Sequence, residues 1–256
     1  MHRHVEEAIN LMRQRYDEPL TLNDLARAAL LSKFHFTRVF RTATGTSPGR
    51  FLAAVRFHRA KQLLLGTSMS ITDISYRVGY NSLGTFATRF AKCVGMAPGR
   101  YRHLARTGIS TLPSLYPPHD PAQCGTVLGE LHMPPTGGRN IRVYTGVFGS
   151  PIIQGVPASH DVVDQSSHYL LKSVPPGEWY VCAAAVEADD FTTHPQDRSP
   201  VFFGSSAPIS VRPGATNEVD LVLRPPQPFD TPVLLAIPEL DSCLPPGAAA
   251  AACPVA

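Results

Sequence analysis

The first hundred residues of this chain state one pattern twice, about fifty positions apart, and that repetition constrains the fold more than any other feature. Leu22-Asn23-Asp24-Leu25-Ala26 returns as Ile71-Thr72-Asp73-Ile74-Ser75, and Phe36 and Phe40 return as Phe86 and Phe90. Gly45-Thr46-Ser47-Pro48-Gly49-Arg50-Phe51 returns as Gly95-Met96-Ala97-Pro98-Gly99-Arg100-Tyr101. A repeat of this length is one supersecondary unit used twice. Each copy reads as a short helix, a turn, a second helix and a Gly/Pro stop, which is the grammar of a helix-turn-helix. Two such units on one chain imply two successive contacts with DNA.

Charge and proline divide the chain at the same place. Residues 1–106 hold 17 Lys and Arg against 6 Asp and Glu, a net of +11, whereas residues 107–256 hold 6 against 14, a net of −8. A small basic domain suits a polyanion, because each phosphate it neutralises releases condensed counterions. Only Pro19, Pro48 and Pro98 precede residue 107, so 22 of the 25 prolines fall in the second half. Proline lacks an amide donor and cannot continue a helix. The fold class expected is therefore α + β multidomain: an all-α double helix-turn-helix domain at 1–106, a Pro-rich linker at 107–122, an all-β sandwich at 123–224, and a Pro/Ala-rich tail at 225–256, poorly ordered apart from an apolar patch at Val233–Ile237.

Within the basic half, Val5, Ala8, Ile9 and Met12 mark one stripe of a first helix. Thr21, Ser32, Ser47, Ser70 and Ser82 stand where N-caps are needed, and Pro48 sits at a first helical position. The helix from Lys33 to Ala43 buries Phe36, Val39, Phe40 and Ala43 at the spacing of a core stripe. Its other face carries Lys33, Phe34, Thr37, Arg38 and Arg41. Arg38 suits a bidentate grip on guanine O6 and N7, Phe34 suits a thymine methyl, and Arg41 suits a phosphate. A long helix from Ser47-Pro48 to about Leu65, with Leu52, Val55, Ala60, Leu63 and Leu64 apolar, reads as a rigid spacer. Two readers on one face of B-DNA must sit about 34 Å apart, and a loop cannot hold that separation.

The second reader is expected at Leu83–Val94, with Phe86, Phe90 and Cys93 inward. Its outward face offers Gly84, Thr88 and Ala91, flanked by Thr85, Arg89 and Lys92. So few long polar side chains point to thymine methyls, groove shape or phosphates rather than guanines.

The run Asp73-Ile74-Ser75-Tyr76-Arg77-Val78-Gly79-Tyr80, followed by Phe86, Phe90, Gly95, Pro98 and Tyr101-Arg102, resembles the signature of the AraC/XylS family of transcriptional regulators. The first unit is similar through Leu25-Ala26, Ser32, Phe40, Gly45 and Pro48. The resemblance covers about Val5 to Arg102. It implies seven helices, two helix-turn-helix units joined by a long helix, and regulation of transcription initiation through RNA polymerase. It also implies base-reading positions at Phe34, Thr37 and Arg38 in the first unit, and at Leu83, Gly84, Ala87 and Thr88 in the second. Two departures stand out. An arginine common in the family where Thr88 stands is absent, and the DNA-binding domain precedes its companion domain where many members place it last.

The second half shows seven short strand-like runs: Val127–Met133, Ile141–Phe148, Tyr169–Val174, Glu178–Val186, Val201–Gly204, Ile209–Val211 and Asn217–Leu223. Turn residues punctuate them in the manner of a sandwich. Tyr169–Val181 reads as a hairpin bent at Pro175-Pro176-Gly177, and resembles a transthyretin-like, carboxypeptidase regulatory-like β domain. His132, His160, His168 and His194 are scattered, and Asp189-Asp190 near His194 reads as a surface turn. This half contains no G-x-S-x-G, no phosphate loop and no H-E-x-x-H, so neither an enzyme nor a metal or other cofactor is expected. Cys93, Cys124, Cys182, Cys243 and Cys253 form no CxxC, which suits a reducing compartment. The amino terminus lacks a signal-peptide pattern and no apolar run is long enough to span a membrane, so a cytoplasmic protein is expected.

The partners expected are double-stranded DNA, RNA polymerase, and a small-molecule effector or protein at the carboxy-terminal domain. That domain, acidic and tethered, suits either a role in tuning DNA binding by competing for the basic surface or a passive one that adds solubility or dimerises. The rival reading is an interaction protein that uses the helical domain as a protein-binding surface.

Overall fold

Hydroxyl side chains fix where the helices begin. The computed structural model describes residues 2–107, 123–164, 166–188 and 200–234, which divide into a helical and a β unit. The helices are α1 (His2–Gln14), α2 (Leu22–Ala28), α3 (Lys33–Thr44), α4 (Pro48–Gly66), α5 (Ile71–Arg77), α6 (Leu83–Val94) and α7 (Pro98–Thr107). Thr21, Ser32, Ser47, Ser70 and Ser82 each accept from a backbone amide three residues on, satisfying donors that a helix start leaves unpaired. At α2 the bond is reciprocal, since the Asp24 carboxylate accepts from the Thr21 amide at 2.9 Å. Gly45 and Gly95, left-handed, close the two recognition helices.

α4 serves two small cores, with Phe51, Ala54, Phe57, Ala60 and Leu64 among its buried residues. Phe51, Leu52 and Val55 join Val5, Ile9 and Met12 of α1, Leu25 of α2, and Phe36 and Phe40 of α3. One turn on, the Phe57 ring meets Tyr80, Phe86 and Phe90 at centroid distances of 5.5, 6.1 and 5.8 Å. Phe57 lies off the stripe expected from sequence, because a helix buried on both sides shows no amphipathic period. Cys93 is only half-buried, and Val94 fills the inward position assigned to it.

The helical unit also contains Gln227–Leu234. Phe229 packs on the core shared by α1–α4, Val233 and Leu234 are buried, and Arg13 donates to the Pro228 carbonyl. Phe229 packs where a poorly ordered tail was expected, whereas Val233 and Leu234 fall in the apolar patch expected there. Proline prevents helix and ladder formation but does not stop apolar neighbours from packing. The linker at 108–122, Asp189-Asp190, His194 and the tail beyond residue 234 lie outside the described residues.

The β unit is a two-sheet sandwich. Its strands are β1 (Gly125–His132), β2 (Ile141–Phe148), β3 (His160–Asp164), β4 (His168–Val174), β5 (Gly177–Glu187), β6 (Phe202–Ser205), β7 (Ile209–Val211), β8 (Thr216–Glu218) and β9 (Leu221–Val222). One sheet runs β4-β1-β8 with β9 also on β1, and the other runs β3-β2-β5-β6 with β7 also on β5. Val127, Tyr169, Leu171 and Leu221 from the first share a core with Val143, Val147, Val181 and Phe202 from the second.

Three expectations change here. β3 was not foreseen, because His160-Asp161-Val162-Val163-Asp164 is too polar to read as a strand. The run Asn217–Leu223 divides into β8 and β9 at Val219-Asp220, whose carbonyl and carboxylate accept from Tyr169 Oη and the Glu130 amide. Finally, Tyr169–Val181 is not a hairpin: β4 pairs with β1 while β5 pairs with β2, so Pro175-Pro176-Gly177 carries the chain between sheets.

Candidate nucleic-acid interface

Burying Phe36, Val39 and Phe40 forces the opposite side of α3 outward. Lys33, Phe34, Arg38 and Arg41 are exposed there, and Phe34 is 92% accessible, the most exposed large apolar side chain described. Thr37 is half-buried, and its hydroxyl donates to the Lys33 carbonyl at 2.8 Å. Its oxygen therefore remains as an acceptor for an outside donor. Arg38 Nη2 donates to His35 Nδ1 at 3.3 Å. His35 was missed by the sequence reading, although its place one turn before Arg38 on the same face was the available signal.

The second reader repeats the register with different chemistry. Leu83, Gly84, Thr85, Thr88, Arg89 and Lys92 are exposed, and Ala87 is half-buried. Gly84 stands where the first unit has Phe34, Thr88 where it has Arg38, and Ala91 where it has Arg41. The Arg89 guanidinium lies 6.0 Å from the centre of the Tyr80 ring, against the protein. The structure thus gathers the sequence-selected residues onto two corresponding helix faces, one rich in long side chains and one poor.

Neither recognition helix contains an acidic residue. Three acids elsewhere in the domain, Glu18, Asp24 and Asp73, are already engaged. The Thr21 hydroxyl and amide hold the Asp24 carboxyl below its ordinary value, and the Arg15 guanidinium does the same to Glu18. Asp73 accepts from the Ser70 hydroxyl at 2.6 Å. A positive surface without competing carboxylates on the helices themselves favours a phosphate backbone. Among the described residues no group of three or more His, Cys, Asp or Glu is placed to hold a metal ion.

Residues 25–103 match a protein family described as "Helix-turn-helix domain". The chain is 31% identical over 99 residues to the lactose operon transcription activator of Staphylococcus xylosus, covering 39% of this chain and 36% of that protein. It is 30% identical over 110 residues to the melibiose operon regulatory protein of Escherichia coli K12, covering 43% and 36%. This stretch is a helix-turn-helix domain. A crystal structure of an AraC-type transcriptional regulator from Chromobacterium violaceum aligns with 30% identity and a TM-score of 0.39, over 40% of this chain and 92% of that one. The chain spans about a third of the length of the curated relatives it matches. Among the described residues, no helix is long and apolar enough to cross a membrane.

Proposed function

We propose that the chain is a sequence-specific DNA-binding protein that regulates transcription initiation, its two recognition helices reading successive major-groove segments of double-stranded DNA. The observation that carries this reading is the pair of corresponding exposed faces on α3 and α6, both free of acidic residues, within a domain of net charge +11. In this reading Arg38 reads guanine, Phe34 packs on a thymine methyl, Thr37 accepts from a base, and Lys33 and Arg41 hold phosphates. On α6, Leu83, Gly84, Ala87 and Thr88 admit close approach to base edges, while Thr85, Arg89 and Lys92 meet the backbone.

The matched regulators of lactose and melibiose operons support a role in transcription, and the protein partner in this reading is RNA polymerase. The β unit is a binding module for an effector or a protein, and the chain acts in the cytoplasm by binding rather than by catalysis.

Selection from a random DNA pool with the intact protein tests the reading. A bipartite site is expected, with affinity falling by roughly 0.9 log units per log unit of salt for each phosphate contacted. No enrichment, with a flat salt response, favours the protein-binding alternative.

A further inference from the structure

One side chain in the middle of α4 touches both helix-turn-helix units. Arg56 donates through Nε to the Tyr16 carbonyl at 2.6 Å and through Nη2 to the Glu18 carbonyl at 2.7 Å. Those carbonyls belong to the turn between α1 and α2, immediately before the Thr21 cap of the first unit. On the other side, the turn between α5 and α6 closes over the same place. A Cβ on Gly79 would stand 2.8 Å from the Asp17 carbonyl, 2.9 Å from Arg56 Nη2 and 3.0 Å from the Tyr16 carbonyl. Gly79 also has a φ of +81°, so neither its backbone nor its surroundings admit a side chain.

The next residue extends the contact to the second reader. The Arg56 guanidinium lies 5.8 Å from the centre of the Tyr80 ring, and Arg89 of α6 lies 6.0 Å from the same ring. Phe57 stacks on that ring at 5.5 Å.

The other contacts of α4 with the readers differ in kind. Most are rings and aliphatic groups, with Arg59 also lying 5.7 Å from the centre of the Tyr16 ring, and such packing is less directional than a hydrogen bond. A planar guanidinium donating to two carbonyls is directional. We propose that Arg56 is a positioning residue that fixes the relative orientation of the two recognition helices, and thereby the spacing between the two DNA segments the domain accepts. This rests on the two-segment reading above. Each added base pair turns the second segment by about 34° and moves it by about 3.4 Å, from a repeat of about 10.5 base pairs per 34–36 Å. A rigid pair of readers rejects that displacement, and a loosened pair follows it.

The test uses the full chain and its selected site, with one or two base pairs inserted or removed between the segments. For the wild type, one base pair should cost roughly tenfold or more, the scale of a mismatched pair. Arg56→Ala should bind the original site more weakly and lose less than about threefold on insertion, while Arg56→Lys, which keeps charge without the fork, should fall between. The ratio of affinities for the two spacings is independent of how much protein is folded, so simple destabilisation leaves it unchanged. If Arg56→Ala does not fold, Arg56→Lys carries the same ratio test. An unaltered ratio beside an intact two-segment wild type overturns the inference alone. A wild-type footprint confined to one segment overturns the two-segment reading, and the inference with it.

Discussion

Arg13, near the end of α1, donates to the carbonyl of Pro228, 215 positions further along the chain, at 3.0 Å. Burial lowers the pKa of its guanidinium, and the nearby Asp230 carboxylate works in the opposite direction. Asp230 is itself placed by the Gln227 amide, which donates to its Oδ2 at 2.6 Å. The chain therefore leaves the helical unit within α7, at Arg102, and returns at Gln227 to complete the first core with Phe229.

A fragment ending at residue 106 should accordingly be less stable than the helical unit of the intact chain. Phe229→Ala in the full chain should cost about 2 kcal/mol, below the range for a fully buried ring because Phe229 is only half-covered. Urea unfolding followed by hydrogen exchange in α1 measures both effects. Equal unfolding midpoints for the wild type, Phe229→Ala and a chain ending at Pro226 would show that the segment adds nothing.

The helical half was legible in the sequence because its signals are local. Thr21, Ser32, Ser47, Ser70 and Ser82 each act on an amide three residues away, so the helix starts can be read without knowing the fold. The outward faces of α3 and α6 follow from the burial of Phe36, Phe40, Phe86 and Phe90 at helical spacing. What escaped the reading depends on distant partners. Phe57, Arg56 and Phe229 are ordinary residues until α4 is packed on both sides and the chain end has returned. The strands β4 and β5 were found, but which sheet each joins is set by pairings that no local run encodes.

Leu30 offers a different test. It occupies the turn between α2 and α3 with a φ of +54°, where the second unit has Gly79 at +81°. A left-handed leucine is strained by roughly 1–2 kcal/mol, and its side chain, 80% exposed, recovers little by packing. Leu30→Gly relieves that strain but adds freedom to the unfolded chain, an opposing effect of about 0.5–1 kcal/mol. A net gain of up to about 1 kcal/mol is expected, read as a higher urea midpoint at unchanged slope. A loss of stability would mean that Leu30 makes a contact its exposure conceals.

The two readers should respond unequally to truncation. Arg38→Ala should cost about 1–3 kcal/mol at the best site and relax one base position. Thr88→Ala should cost less, because a single hydroxyl discriminates weakly. Phe34→Ala should lower affinity while leaving folding stability within about 0.5 kcal/mol, as expected for a side chain that packs on nothing in the free protein. Paired binding and unfolding measurements separate these effects. A larger loss from Thr88→Ala than from Arg38→Ala would move the specificity to α6.

His58 on α4 should give the helical unit a pH dependence in the acidic range. Burial lowers its pKa first, and the positive charges of Lys61, Arg59 and Arg13 add to this, bringing it to about 4 from an ordinary value of 6.5. Its Nδ1 has no hydrogen-bond partner among the described residues, so the folded state holds the ring neutral without strong compensation. Between those two values the unfolded chain binds a proton that the folded chain does not. Stability from this group is therefore complete above about pH 6.5, falls as pH drops towards about 4, and is flat below, with a total loss of up to about 3 kcal/mol. Urea midpoints at several pH values between 7.5 and 4 should fall more steeply for the wild type than for His58→Gln, which cannot titrate. Parallel curves would show that His58 takes up its proton as readily in the folded protein as in the unfolded one, and that the acid sensitivity of the unit comes from its carboxylates.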